Sequence, residues 1–244
     1  MVRFFVSPSC LQGKFAVLTG DSASHAKVLR LKSGDNVVLC TGDGTDHICT
    51  ISDITPHQVS LVVQSLSPSV TEPKMRCTLY MAFPKSDKLE HVIQKATELG
   101  AFEIVAFPSD RCVSRPDDRS LQKKLERWQK IAASAAEQSG RGQIPAVRVA
   151  RSFSSAMEEA VRADFATLLY ENEEQLSLRQ ALGDCQVKTV SLVTGPEGGF
   201  TEKEVSLAKD LGLHICTLGP RILRCETAPL CALSAVLYAC GELE

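Results

Sequence analysis

Residues 218 to 236 read LGPRILRCETAPLCALSAV, which puts Arg221, Arg224 and Glu226 between a short apolar run and an alanine-rich helix. A guanidinium holds an anion in a planar fork, and a nearby carboxylate can accept a proton or orient the guanidinium. The same residue types could equally form an ion pair that ties the loop to the helix. A ligand site within reach would favour chemistry, and the segment TGPEGGF (194–200) is a candidate for one. Its glycines at 195, 198 and 199 remove Cβ atoms, so main-chain groups can approach a ligand and hydrogen-bond an adenine edge or ribose hydroxyls. A tight strand-to-helix turn is the structural alternative. No GxxxxGK[ST] phosphate loop is present, and Glu197 would repel a phosphate, which favours a neutral or cationic nucleoside.

The elements that must position these residues alternate in type. Residues 1–70 read as short strands (RFFV, KFAVL, DNVVLC, DHICTISDI, QVSLVVQSL) with one helix near 22–29, and they predict a small β-barrel. SLSPSVTEP (65–73) is the expected linker, so the second domain spans 71–244. That domain alternates strands (CTLYMAF, FEIVAF, AVRV, FATLLY, VKTVSLVT, HICTL) with helices. Asp87 with Glu90, Ser155 with Glu158, and Thr201 with Glu204 are expected to open three of the helices, and Thr227 to cap the last. The pattern predicts an α/β domain with a mostly parallel sheet and a ligand at the C-terminal strand ends. Three such ends would converge, at Leu169-Tyr170-Glu171, at Thr194 to Gly199 and at Leu218-Gly219-Pro220.

At 244 residues and 44% hydrophobic content the chain can bury a large core. The N-terminal MVRFF enters a strand without a signal-peptide pattern, so a cytoplasmic protein is expected. Ten cysteines spread over this length, with no CxxC pair, predict mostly reduced, buried thiols and neither a disulfide scaffold nor a metal site. Net charge is −2, but residues 71–151 carry five more basic than acidic side chains and residues 152–244 seven more acidic than basic. A basic middle permits a polyanion on one face, although such segments are commonly solvated surface.

In order along the chain, RFFV, HAKVLRLKSGD, KSDKLEHVIQKATELG, AAEQSGRGQIP, TGPEGGFTEKEV and RILRCETAPLCALSAV resemble the RsmE family of SPOUT RNA methyltransferases. The resemblance implies methylation of N3 of a uridine in small-subunit (16S) ribosomal RNA. It also implies an N-terminal PUA-like β-barrel, a SPOUT domain threaded into a deep trefoil knot, bound S-adenosyl-L-methionine and a homodimer. Carried over residue by residue, the cofactor positions are Leu169, Tyr170, Glu171, Thr194, Gly195, Pro196, Gly198, Gly199, Leu218, Gly219, Ile222, Leu223 and Ala228. The catalytic candidates are Arg221, Arg224 and Glu226; no role carries onto Cys225.

N3 methylation requires loss of the N3 proton and stabilisation of the resulting anion, for which an arginine and a carboxylate are suited. N3 lies on the pairing edge, so the target must be unpaired or flipped. Arg3, Arg30 and Lys32 of the barrel, with Lys85, Arg111 and Arg141, are candidates for phosphate contact. Two alternatives remain open at this level: a non-catalytic RNA-binding protein, and a pyrimidine C5-methyltransferase with Cys225 as nucleophile.

Overall fold

The computed structural model describes residues 1–113, 116–184 and 186–243. They form two compact units, Met1–Glu72 with Ala133–Ile144, and Pro73–Ala132 with Pro145–Glu244. The expected break near residue 70 therefore omits a second contribution to the first unit. Its cause is Glu72, whose Oε1 accepts from Gly142 N (2.9 Å) and Gln143 N (3.1 Å) while Oε2 pairs with the Arg141 guanidinium at 2.5 Å.

The first unit contains β1 (Val2–Phe5), β2 (Leu11–Gln12), β3 (Phe15–Thr19), α1 (Gly20–Val28), β4 (Asn36–Cys40), β5 (Thr45–Ile54) and β6 (Gln58–Pro68). Its sheet runs β1-β4-β5-β6-β3-β2, with β1 and β4 parallel and the other neighbours antiparallel. Two register shifts between β5 and β6 bend these long strands, as extra residues in a ladder do. Phe4, Leu18, Leu39, Ile51 and Leu61 fill the core beneath α1.

In the second unit, β7 (Arg76–Ala82), β8 (Glu103–Phe107), β9 (Ala146–Val149), β10 (Phe165–Leu169), β11 (Thr189–Thr194) and β12 (His214–Cys216) alternate with helices. These are α2 (Lys88–Leu99), α3 (Asp118–Ser139, whose residues from Ala133 onward belong to the first unit), α4 (Phe153–Ala160), α5 (Leu178–Leu182), α6 (Glu202–Asp210) and α7 (Ala228–Ala239). The sheet order is β12-β10-β11-β7-β8-β9 and every neighbouring pair is parallel. All five residues of β10 are buried, as a strand covered on both faces requires.

Helix α2 buries Leu89, Val92, Ile93 and Ala96, and it ends at Gly100 in the left-handed region (φ 102°), where a Cβ would meet Pro73 Cγ at 2.7 Å. The Thr201–Glu204 capping box forms as expected. Three other caps differ. Asp87 precedes α2 without a side-chain capping bond, and Glu90 turns to Arg127 (2.7 Å) instead. Helix α4 is opened by Ser152, whose box partner is Ser155, so that Phe153 can be buried. Thr227 makes no side-chain cap on α7; the Arg224 carbonyl accepts from Thr227 N (2.8 Å) and Ala228 N (3.0 Å) and starts the turn one step earlier. Leu233 and Leu237 of α7 are buried and Leu230 is half-buried. Among the described residues no helix is long and apolar enough to cross a membrane.

Candidate active site

Strands β12, β10 and β11 are adjacent and parallel, with Leu169 opposite Cys216 and Leu168 opposite Val193, so their C-terminal ends lie side by side. The chain leaves each strand into a loop, and together the loops enclose a cavity of about 810 Å³. Every expected cofactor position lines it: Leu169, Tyr170 and Glu171 after β10; Thr194, Gly195, Pro196, Gly198 and Gly199 after β11; and Leu218, Gly219, Ile222, Leu223 and Ala228 after β12. Arg221, Arg224 and Cys225 line it too.

Local chemistry shapes the loops. Phe200 is buried and stacks on Phe107 at 6.5 Å, which pins the far end of the glycine segment to the core. Gly199 N donates to Pro196 O at 3.0 Å and closes the turn. Gly199 has φ 64°, and a Cβ there would collide with the Glu171 carboxylate, so glycine is required on both counts. A Cβ on Gly195 would sit 3.3 Å from Gly199 and from the Phe200 ring, so a side chain there would press on the loop itself. Arg111 Nη1 donates to Gly198 O at 2.9 Å and braces the segment from outside.

The charged residues pair in a pattern the sequence does not show. Glu226 pairs with Lys88, Nζ to Oε2 at 3.2 Å, and the same ammonium is 2.9 Å from Glu197 Oε1. Glu197 also accepts the Lys85 backbone N–H (3.1 Å). No ion pair of Arg221 or Arg224 occurs among the described residues, and both side chains are exposed. The Arg224–Glu226 pair considered from sequence is therefore absent, and the guanidinium at the cavity edge is uncommitted.

Protonation follows from these contacts. The Glu226 carboxyl is held below the usual glutamate range, first by its own backbone N–H and further by Cys225 and Lys88. Burial works against the charge on Glu197, but hydrogen bonds from Lys88 and the Lys85 amide outweigh it and keep the group below its ordinary value. Lys88 is shifted upward, mostly by Glu197 and then by Glu226, and stays cationic. Cys225 is pushed up to about 12 by burial and by its acidic neighbours. A thiol so protonated is a poor nucleophile, which opposes the C5-methyltransferase alternative.

The expected RNA contacts divide. Arg3 is buried, with Nη1 and Nη2 on the two Asp46 oxygens (2.6 and 2.7 Å) and Nη1 also 2.6 Å from Cys40 Sγ. Arg141 is buried on Glu72. Neither guanidinium is placed to meet a phosphate, because each is consumed by an internal carboxylate. Arg111 serves the glycine loop. Arg30, Lys32 and Lys85 are exposed; Arg30 takes the left-handed conformation (φ 57°) that ends the helical turn of α1.

Lys88 is the site residue that sequence reasoning missed. The available signal was a lysine in the first turn of α2, where a cation opposes the helix dipole and needs acidic partners.

Residues 71–237 match the family model of an RNA methyltransferase domain, and residues 18–64 match that of an RNA methyltransferase PUA domain. A parallel α/β domain with a glycine-lined cavity at its strand ends, preceded by a PUA-type unit, defines an RNA-modifying methyltransferase of the SPOUT class. The chain is 39% identical to ribosomal RNA small subunit methyltransferase E of Bacillus subtilis, over 98% of this chain and 96% of that protein. It is 34% identical to the protein of the same name from Synechocystis, over 96% and 76% respectively. A crystal structure of ribosomal RNA small subunit methyltransferase E from Neisseria gonorrhoeae, bound to S-adenosylmethionine, is similar with a TM-score of 0.86 at 30% identity, covering 98% of this chain and 97% of that one. The chain belongs to the ribosomal RNA small subunit methyltransferase E family.

Proposed function

We propose that this protein methylates N3 of a uridine in 16S ribosomal RNA, using S-adenosyl-L-methionine held in the cavity between the β10, β11 and β12 loops. The observation that carries the reading is a glycine-lined cavity with an uncommitted arginine at its rim and, two residues further along the same loop, an ionised glutamate that does not itself line the cavity but pairs with the lining residue Lys88. A volume of about 810 Å³ is in the range of cofactor pockets, and the missing Cβ at Gly199 makes room for the Glu171 carboxylate at its wall.

Leu169 to Glu171, Thr194 to Gly199 and Leu218 to Leu223 hold the cofactor in this reading. When bound, it supplies an activated methyl group: the N3–C bond forms, the S–C bond breaks, and S-adenosylhomocysteine leaves. The protein's own residues handle the base. Glu226 takes the N3 proton, and Arg224, with Arg221 near it, balances the negative charge that builds on the base oxygens. Displacement of water by the bound base and cofactor would strengthen both effects.

Arg30, Lys32 and Lys85 contact phosphates in this scheme, and the target uridine is taken unpaired. A homodimer and a knotted cofactor loop complete the proposal, and light scattering on the purified protein reports the first. The direct test incubates small ribosomal subunits from a strain lacking the gene with the protein and labelled S-adenosylmethionine, then digests the RNA for mass spectrometry. N3-methyluridine at a single position supports the reading; a label on C5 or on ribose rejects it.

A further inference from the structure

Lys88 joins three segments through one ammonium group. It is the first residue of α2, it lies 2.9 Å from Glu197 on the loop after β11, and it lies 3.2 Å from Glu226 on the loop before α7. Cys225 Sγ is 3.6 Å away. A cation in the first turn of a helix is disfavoured by the helix dipole, so the two carboxylates must hold it there. An ordinary surface pair looks different: Lys95 reaches Glu98 three residues along its own helix and ties no other segment. Glu197 is fixed independently by the Lys85 amide, so the arrangement runs from a rigid anchor, through Lys88, to Glu226.

We propose that Lys88 is a positioning residue for methyl transfer: anchored on Glu197, its ammonium fixes the Glu226 carboxylate on the loop that carries Arg224. The inference rests on the reading above, in which Glu226 accepts the N3 proton. Lys88 itself moves no proton, and it acts by setting where Glu226 stands and how basic it is. The groups facing Glu226 are Lys88, the Cys225 thiol and its own backbone N–H, with Glu197 on the far side of Lys88. Removing the ammonium takes away the only cation of that set, so the Glu226 carboxylate should become more basic and the acid limb of the rate profile should move to higher pH.

The test uses Lys88→Met, Lys88→Arg, Glu226→Gln and the Lys88→Met/Glu226→Gln double variant. Single-turnover rates on undermethylated small subunits are measured across pH, with S-adenosylmethionine affinity by calorimetry and Tm as controls. Lys88→Met is expected to lower the rate about tenfold or more, on the lower side of general-base effects, and to raise the acid limb while cofactor affinity changes far less. Lys88→Arg should recover most of the rate. In the Glu226→Gln background Lys88→Met should cost less than about twofold, the signature of two residues acting as one unit. Fully multiplicative losses, an unmoved acid limb, or a rate that falls only in step with Tm would overturn the inference. Failure of the underlying reading looks different, because Glu226→Gln would then retain the wild-type rate or the wild type would form no N3-methyluridine.

Discussion

Arg3 and Arg224 look alike in the sequence, each a lone arginine beside apolar residues, yet the fold uses them in opposite ways. Arg3 lies in β1 with both Asp46 oxygens and Cys40 within hydrogen-bond distance, a staple across the neighbouring strands β1, β4 and β5. Arg224 sits on a loop at the edge of a cavity with no ion pair among the described residues, while the nearest carboxylate in sequence, Glu226, is held by Lys88. A buried guanidinium has to be matched, so its charge is spent on the fold. A rim guanidinium left unmatched keeps its charge for a ligand.

Breaking the staple should give the largest effect. Removing one partner of a buried ion pair leaves the other charged and desolvated, so Arg3→Met is expected to cost about 3 kcal/mol or more in urea unfolding of the full-length protein. Arg141→Met should cost less, because Glu72 keeps the Gly142 and Gln143 amides. Neither change should alter S-adenosylmethionine affinity in protein that remains folded. A fall in RNA affinity with unchanged stability would return these arginines to the RNA surface.

Gly199→Ala acts on the cavity. It forces a side chain into the left-handed region and against Glu171, so it should weaken S-adenosylmethionine binding by about tenfold or more, with about 1 kcal/mol of strain in stability. Calorimetry at equal folded fraction separates the two. Undiminished affinity would show that the glycine segment does not contact the cofactor.

Smaller changes are expected from the exposed cations. The Arg30→Glu/Lys32→Glu variant should raise KM for the ribosomal substrate several-fold and reduce its salt dependence by about one to two phosphate contacts, leaving cofactor affinity intact. A loss in both would point to misfolding.

The pH dependence of the staple is smaller still. Asp46 is held below the ordinary carboxylate range, chiefly by the hydrogen bond from Arg3, with burial opposing. A depressed folded pKa stabilises the protein above the unfolded value and loses that stabilisation as pH falls through the folded one. The Arg3–Asp46 contribution should thus be complete above about pH 4 and decline below it, and in Asp46→Asn acid unfolding should lose that component.

Sequence signals reached the parts of this site set by local rules. Parallel strand ends followed from the alternation of elements, the glycine segment from its composition, and the Thr201–Glu204 cap from its spacing. Long-range pairing was not legible. Arg3 meets Asp46 across 43 residues and Arg141 meets Glu72 across 69, and no local pattern says which exposed-looking arginine will find an acid in the interior. Lys88 reaches Glu226 from another helix for the same reason, and the adjacency of Arg224 and Glu226 in sequence pointed to a pair that the loop geometry does not make. Helix α5, with only five residues, is too short to show a period. The Ser155–Glu158 opening of α4 was displaced because burial of Phe153 outweighed a weaker spacing cue.

The single-turnover rate of Arg224→Ala on undermethylated small subunits, set beside its S-adenosylmethionine affinity and Tm, decides whether the rim arginine serves the reaction. A rate reduced about 10²-fold or more is expected, the scale of losing one donor to a developing anion, with affinity and Tm close to wild type. A near-normal rate with a lowered Tm would contradict it, and would place Arg224 with Arg3 among the residues that hold the fold.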